Sequence, residues 1–131
     1  MKKLTVVLSA VFMLTIFLIV STSFSNKKKT MAKKTQIRIF TINKGKMDVF
    51  LDAWQKGVYT LRIKNGFKIE GAWVVQGKNK FIWILSYDGP EGFEAKDSAY
   101  YASQARTTLK PDPAEYIADV ENYFISPGLP Q

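Results

Sequence analysis

Histidine and cysteine are both absent from the 131 residues of this chain. Without cysteine there can be no disulfide, no thiolate nucleophile and no cysteine-based metal site. Without histidine there can be no imidazole general base, no histidine metal ligand and no histidine to hold a haem iron. The sequence also lacks a nucleotide-binding glycine loop, a zinc signature and a serine-nucleophile motif. We therefore expect no metal and no cofactor, and any acid–base chemistry would fall to aspartate or glutamate.

Acidic residues are missing from the first part of the chain, and this dominates the overall net charge of +8. Residues 1–34 contain seven of the 19 basic residues and no acidic residue. The rest of the chain carries the other 12 basic residues against 11 acidic ones, so it is close to neutral. A nucleic-acid-binding surface needs basic residues concentrated on the folded part. We therefore expect no nucleic-acid partner, and the length leaves room for one domain.

The first 25 residues have the three parts of a secretory signal peptide. Met1–Lys3 is a short positive start, residues 4–20 are apolar apart from three hydroxyl residues, and Ser23 and Ser25 are small residues at cleavage-site spacing. We expect cleavage after Ser25 and export to the cell envelope or beyond it. Two alternatives stay open. An uncleaved segment could anchor the protein, since about 17 apolar residues can span a bilayer, and translation from Met31 would leave the protein in the cytoplasm.

The folded domain is predicted to begin with a strand and a long helix. This domain, 36–126, follows a basic linker, 26–35, and precedes a short tail, 127–131. The strand Gln36–Ile42 carries bulk on both faces, which is typical of a central strand. The helix starts near Lys46 with Asn43 as its candidate N-cap, and Asn65–Gly66 ends it. Six apolar residues recur at helical spacing and form one stripe along this helix: Met47, Phe50, Leu51, Trp54, Val58 and Leu61. Arg62 is predicted to lie outside this stripe.

Two further strands are predicted to form a hairpin around Gly77–Asn79. Strict alternation places two aromatic rows side by side on one face of the hairpin. These rows are Phe67, Ile69, Trp73 and Val75 on the second strand, and Phe81, Trp83, Leu85 and Tyr87 on the third. Residues 91–104 predict a second helix, and a last strand ends at Ile125. The order β-α-β-β-α-β predicts a ferredoxin-like α+β fold, an antiparallel sheet with helices on one face.

The other face of this sheet also carries hydrophobic groups and needs a cover. A second copy of the same sheet supplies that cover in the dimeric form of the fold. We therefore expect a homodimer. A membrane contact is expected only through the N-terminal segment, if that segment is not cleaved.

The start of the folded domain resembles that of a NIPSNAP domain. Residues 37–54 contain the strand, the Gly-Lys turn and the helix with a Phe-Leu-x-x-Trp-like core. Asn65–Phe67, Gly71–Trp73 and the strand that ends at Tyr87–Asp88 are similar to the same pattern. The resemblance implies the dimeric α/β barrel superfamily, which also includes antibiotic-biosynthesis-type monooxygenases and haem-degrading enzymes. It implies no catalytic residues, and the absence of histidine argues against the haem-degrading branch.

Six residues are candidates for contacting a small apolar ligand between the helices and the sheet: Arg38, Trp54, Trp83, Tyr87, Tyr100 and Tyr101. If Arg38 points into that space it must be paired, which would make it a candidate anchor for a carboxylate. The tyrosines could donate hydrogen bonds to a ligand oxygen, and the tryptophans, with Trp73, could form an apolar wall. The competing interpretation is core packing, with the arginine at an edge and the hydroxyls at the surface.

Three interpretations of function follow from these residues. The first is a homodimeric NIPSNAP-like domain that binds a small apolar ligand and has no assigned activity. The second is a cofactor-independent monooxygenase or isomerase of the antibiotic-biosynthesis-monooxygenase type, which needs a pocket with a polar group of perturbed proton affinity. The third is an envelope interaction module that uses the exposed sheet face for a different partner.

Asp119 and Glu121 share one face of the last strand. They are the carboxylates considered for acid–base chemistry there, and a solvated edge of the sheet is their expected role.

Overall fold

The computed structural model describes residues 31–130, which form a four-stranded antiparallel sheet with helices packed on one face. The predicted signal peptide or anchor, its cleavage site and the first half of the basic linker lie outside these residues. Within residues 31–130, no helix combines the length and the apolar character that a membrane crossing requires.

The elements follow the predicted β-α-β-β-α-β order, with the helical parts divided into shorter segments. In chain order these are β1 (Lys34–Ile42), α1 (Met47–Ala53), a π-helical turn (Trp54–Tyr59), α2 (Thr60–Lys64), β2 (Lys68–Val75), β3 (Lys80–Tyr87), α3 (Phe93–Ala102), α4 (Gln104–Thr107), a 3₁₀ turn (Pro113–Tyr116) and β4 (Ile117–Ile125). The strands are arranged in the order β2-β3-β1-β4. The predicted ferredoxin-like fold is therefore confirmed.

β1 is a central strand, paired with β3 on one side and with β4 on the other. Its burial alternates: Arg38, Phe40 and Ile42 are buried, and Ile37 and Ile39 on the opposite face are half-buried. Because Phe40 and Ile42 belong to the core, Arg38 on the same face points into the layer between the sheet and the helices.

β2 departs from the predicted alternation, because its register against β3 shifts between Ile69 and Gly71. Before the shift Ile69 pairs with Leu85, a core residue, whereas beyond it Trp73 pairs with Ile82 on the other face. Trp73 is 52% exposed. An extra residue in one strand of a pair reverses the facing of every side chain beyond it. The prediction that Trp73 shares a face with Ile69 and Trp83 is therefore wrong.

The first helix contains the π-helical turn between α1 and α2. A π turn bonds residue i to residue i+5, so it adds one residue to the turn and rotates the side chains that follow. Arg62 is fully buried as a result. The prediction that Arg62 lies outside the buried stripe of this helix is therefore wrong. The predicted helix end is confirmed by Gly66 at φ +86. The predicted cap is wrong, because no side chain caps the helix, which begins after Lys46.

The core between the helices and the sheet is largely aromatic. Trp54 and Trp83 meet edge to face with ring centres 5.4 Å apart. Phe67 and Phe93 meet in the same way at 5.6 Å, nearer the other end of the layer. Each such pair contributes about 0.5–1.5 kcal/mol beyond the area it buries. This packing fixes the positions of the polar side chains that enter the same layer.

The sheet face turned away from the helices is apolar, and we call it the open face. Its centre is formed by half-buried isoleucines of the two middle strands: Ile37, Ile39, Ile82 and Ile84. Trp73 of β2 and Tyr123 of β4 flank them, and each is about half exposed. A contiguous apolar surface of this kind marks an interaction site in soluble proteins.

Candidate functional site

Two arginines, one aspartate and one tyrosine meet between the helices and the sheet. Arg38 comes from β1, Arg62 from α2, and Asp97 and Tyr101 from α3. The side chains of Arg38 and Arg62 are 2% and 0% exposed, and that of Asp97 is 21% exposed. We call these four residues the twin-arginine cluster.

Arg38 is held by hydrogen bonds from all three nitrogens of its guanidinium. Its Nη2 donates to both carboxylate oxygens of Asp97, at 3.0 and 2.9 Å. Its Nη1 donates to the Tyr101 hydroxyl at 2.8 Å, and its Nε donates to Oε1 of Gln36 at 2.7 Å. The guanidinium carbon also lies 5.3 Å from the centre of the Trp83 ring. Arg38 is therefore fixed in one geometry rather than lying at a solvated edge.

Arg62 shares the same carboxylate but is less completely satisfied. Its Nη1 donates to Oδ1 of Asp97, and its guanidinium carbon lies 3.6 Å from the centre of the Tyr100 ring and 4.7 Å from that of Phe67. Burial first, and the nearby charge of Arg38 second, lower the pKa of Arg62 against the opposing influence of Asp97. Arginine nonetheless stays protonated in proteins. The layer therefore holds two cations around one carboxylate.

A third arginine lies at the edge of this layer but has its own partner. Arg106 Nη1 donates to Oδ2 of Asp112 at 3.0 Å, and its guanidinium carbon lies 5.8 Å from the Tyr101 ring centre. Burial opposes the charge of Arg106, yet the hydrogen bond and charge of Asp112 leave its pKa raised. Asp112 thus neutralises Arg106 and contributes nothing to the charge balance of Arg38 and Arg62.

The buried side-chain polar atoms that lack a hydrogen-bond partner in residues 31–130 share one property: each can donate. They are Nε1 of Trp54, Nε and Nη2 of Arg62, Nε1 of Trp83, the hydroxyl of Tyr100 and Nε of Arg106. Arg62 lies within stacking distance of Tyr100, and its guanidinium carbon is 5.9 Å from the Trp83 ring centre. These donor groups in and around Arg62 therefore lack hydrogen-bond acceptors.

An open cleft lies beside the cluster, between the π-helical turn and β2. It has a volume of about 650 Å³ and is lined by Trp54, Gln55, Tyr59, Thr60, Ile69, Gly71 and Ala72. Trp54 forms part of its wall and also contacts Trp83, which in turn lies against both arginines. The cleft and the twin-arginine cluster are thus joined through two indole rings that meet edge to face.

Of the six residues predicted to contact a ligand, the structure brings four together. Arg38, Trp83, Tyr100 and Tyr101 lie in or against the twin-arginine cluster, and Trp54 adjoins it at the cleft. Their role in binding stays a prediction. The competing interpretation of an edge-exposed Arg38 is wrong, since the side chain is buried and paired.

Tyr87 is held apart from the cluster. Its hydroxyl donates to Oε2 of Glu91 at 2.6 Å, and its ring packs against Phe67 at 5.1 Å. Burial, together with the hydrogen bond to Glu91, raises the pKa of Tyr87 to about 12. Its hydroxyl is thus committed to a structural hydrogen bond in a loop beside the sheet.

Sequence reasoning missed Arg62 and Asp97. Asp97 had a readable signal, because Phe93, Asp97 and Tyr100 recur at i, i+4 and i+7 and so share one helix face. A carboxylate on the buried face of a helix implies a buried cation opposite it. Arg62 had no such signal, because its facing depends on the π turn. In residues 31–130 no group of acidic side chains is arranged to hold a metal ion.

Solved structures with the same fold include NIPSNAP proteins of two bacteria. A NIPSNAP family protein from Agrobacterium tumefaciens aligns with 74% of this chain and 87% of its own, at 17% identity and a TM-score of 0.66. An uncharacterised NIPSNAP domain protein from Burkholderia xenovorans aligns with 75% of this chain and 99% of its own, at 18% identity and a TM-score of 0.62.

A protein of Bacteroides thetaiotaomicron, provisionally described as an antibiotic biosynthesis monooxygenase, is similar over 75% of this chain and 91% of its own. Its identity is 13% and its TM-score 0.57. No protein-family model matches the chain, and no curated protein sequence does.

These likenesses define the class of the fold as ferredoxin-like α+β. More particularly, the fold is similar to that of solved NIPSNAP proteins and of proteins described as antibiotic biosynthesis monooxygenases. At identities below one fifth the likeness establishes the fold alone. Two of the solved NIPSNAP neighbours are described as uncharacterised or of unknown function.

Proposed function

We propose that this protein is a homodimeric small-molecule-binding protein that holds an apolar ligand between its helices and its sheet. The cleft beside Trp54 carries this proposal. Its volume of about 650 Å³ lies in the range of small-molecule sites, which are mostly apolar with a few convergent polar groups. Tyr59 and Ile69 supply apolar walls, and Gln55 and Thr60 supply polar groups.

The binding proposal can be tested with bicyclic aromatic probes and the indole N–H signals of the three tryptophans in an NMR spectrum. 2-Naphthamide should shift the signal of Trp54 in a saturable way, while that of Trp73 on the open face stays in place. Ala72→Phe, which fills the cleft, should abolish the shift. Val74→Phe is the matched control, because it adds the same ring two residues along the same strand, outside the cleft lining. A Trp54 signal that the probe does not move would contradict the proposal.

The homodimer is supported by the open face. Its central isoleucines and the half-exposed Trp73 and Tyr123 form an apolar surface on a domain whose opposite face is already covered by helices. A second copy of the same face would bury it isologously, as closed dimers do. Light scattering of the purified protein at micromolar concentration should give twice the chain mass, and Ile84→Lys should give the monomer mass. A wild-type protein of monomer mass would contradict the dimer.

A second candidate function is a cofactor-independent monooxygenase or isomerase. The buried arginines favour it, because positive charge in a dry site stabilises negative charge that develops on a bound substrate. The unpartnered hydroxyl of Tyr100 adds a polar group beside them, with its pKa raised by burial. An oxygen electrode with a dihydroxynaphthalene as the electron-rich substrate tests the oxygenase form. Consumption above the rate without protein, lost in Arg62→Gln, is the expected result for an enzyme.

We also propose that the protein is exported, with the apolar leader as its support. Fractionation of a C-terminally tagged chain should yield a product shortened by about 25 residues outside the cytoplasm. A full-length membrane-bound product would indicate an anchor. A cytoplasmic product starting near Met31 would contradict export.

A further inference from the structure

The charge balance of the helix–sheet layer is the starting point. Arg38 and Arg62 are both buried, and Asp97 is the carboxylate that both contact. The third arginine of the layer is neutralised by Asp112. Burying a charge without a partner costs several kcal/mol, so native proteins pair such charges or bind a counter-ion. One positive charge in this layer has no protein counter-charge among the contacts of the twin-arginine cluster.

The unsatisfied hydrogen-bond donors around Arg62, like the excess positive charge, favour a bound anion. Nε and Nη2 of Arg62 and the hydroxyl of Tyr100 lack partners, and Arg62 lies directly against the Tyr100 ring. Nε1 of Trp83, also unpartnered, belongs to the ring on which both guanidinium groups rest. A carboxylate brings several acceptor lone pairs and one negative charge, and it matches a guanidinium through two parallel hydrogen bonds.

We infer that the twin-arginine cluster is the anion-recognising end of the ligand site, and that the ligand is an aromatic or otherwise apolar monocarboxylate. This inference rests on the proposed binding function and adds the chemical class of the ligand. The carboxylate contacts Arg62 on the side away from Asp97, and the apolar body lies along Trp83 and Trp54 toward the cleft. Tyr101 is half exposed and bonded to Arg38, so it forms the wall between the cluster and solvent.

A matched pair of probes separates this inference from the binding proposal on which it rests. 2-Naphthoate and 2-naphthamide have the same ring system and differ in the charge of one substituent. In the wild-type protein we expect the carboxylate to bind about tenfold more tightly than the amide, as charge-assisted hydrogen bonds require. It should also shift the indole N–H signals of both Trp54 and Trp83. Equal affinities would leave the binding proposal standing and overturn the anion site, whereas binding of neither probe would overturn both.

Arg62→Gln tests the residue that the inference names. This variant should lose about tenfold of its affinity for 2-naphthoate and keep its affinity for 2-naphthamide. Lys64→Gln is the matched control, because it removes the same charge from the exposed side of the same helix. An equal loss in both variants would overturn the site in favour of a general charge effect. If Arg62→Gln does not fold, the wild-type probe comparison still decides the matter. Unchanged naphthoate binding in a folded Arg62→Gln also overturns the inference.

Discussion

Arg38 and Trp83 lie directly opposite each other on the two central strands, and the guanidinium carbon of Arg38 is 5.3 Å from the centre of the Trp83 ring. A cation beside an aromatic face in a desolvated layer gains about 2 kcal/mol. Arg38 thus places a charged group among the apolar side chains, such as Phe40, that cover the helix-facing side of the sheet. The guanidinium carbon of Arg62 lies 5.9 Å from the centre of the same ring, so Trp83 contacts both arginines.

Asp97→Asn should destabilise the protein by about 3 kcal/mol, because the change leaves two buried guanidinium groups without their shared carboxylate. Urea unfolding followed by tryptophan fluorescence measures the effect. Glu94→Gln is the matched control on the same helix, since Glu94 pairs with Lys34 at the surface. It should change the free energy of unfolding very little. Equal effects of the two substitutions would show that Asp97 does not carry the charge balance of the layer.

Tyr101→Phe should cost about 1 kcal/mol, because Nη1 of Arg38 loses its acceptor. Tyr59→Phe serves as the comparison, since Tyr59 is an exposed tyrosine on the first helix. Thermal unfolding of both variants gives the difference. If Tyr101 is also the wall between the ligand site and solvent, Tyr101→Phe should speed the exchange of bound 2-naphthoate, which NMR line shapes report. A loss no larger than that of Tyr59→Phe would count against the structural role of this hydroxyl.

Stability should depend on pH through Glu70. The hydrogen bonds of Lys33 and Ser86 lower the pKa of Glu70 to about 2, from 4.5. Its pKa is therefore lower in the folded state than in the unfolded state. The stabilising contribution is fully present above pH 4.5 and is lost as the pH falls toward 2. Glu70→Gln should flatten this part of the pH profile of urea unfolding between pH 5 and pH 2. A variant with the wild-type profile over this interval would assign the acid sensitivity to other carboxylates.

Gly71→Ala should displace the Trp73 side chain on the open face. A Cβ atom at position 71 would lie 2.4 Å from the Trp73 ring, which is closer than two carbon atoms can approach. The indole N–H signal of Trp73 should move, and the proposed homodimer should dissociate more readily on dilution. Gly77→Ala is a control for the backbone, because its Cβ would meet no neighbour even though its φ is +69. If the proposed homodimer of Gly71→Ala dissociates as the wild type does, Trp73 lies outside the subunit contact.

The sequence predicts the order of the elements, because alternation and helical spacing are regular over most of β1, β3 and the start of the first helix. The two errors of facing share one physical cause. The bulge at Glu70 and the π turn at Trp54–Tyr59 each insert one residue into a periodic element, and a pattern read at constant period cannot register an insertion. Trp73 and Arg62 are the residues displaced by them.

The candidate site was predictable only in part for the same reason. Arg38 was recoverable, because its place on a regular central strand turns it toward the helices. Asp97 was recoverable as well from its spacing to Phe93 and Tyr100. The contact of Asp97 with two arginines could not be predicted, because it depends on the direction in which Arg62 points from α2.

The π turn sets the charge of the helix–sheet layer through the helix type of Trp54–Tyr59. If these residues took α geometry at the same chain length, Arg62 would turn by about 100° about the helix axis. Arg62 would then leave the buried face, and Asp97 would keep one arginine, an even balance that needs no anion. Deleting one residue of the turn would instead leave Arg62 on the buried face, because the shorter chain and the α geometry offset each other. A local change of helix type would thus switch this layer between a neutral core and a charged one, with every side chain of the cluster left unchanged.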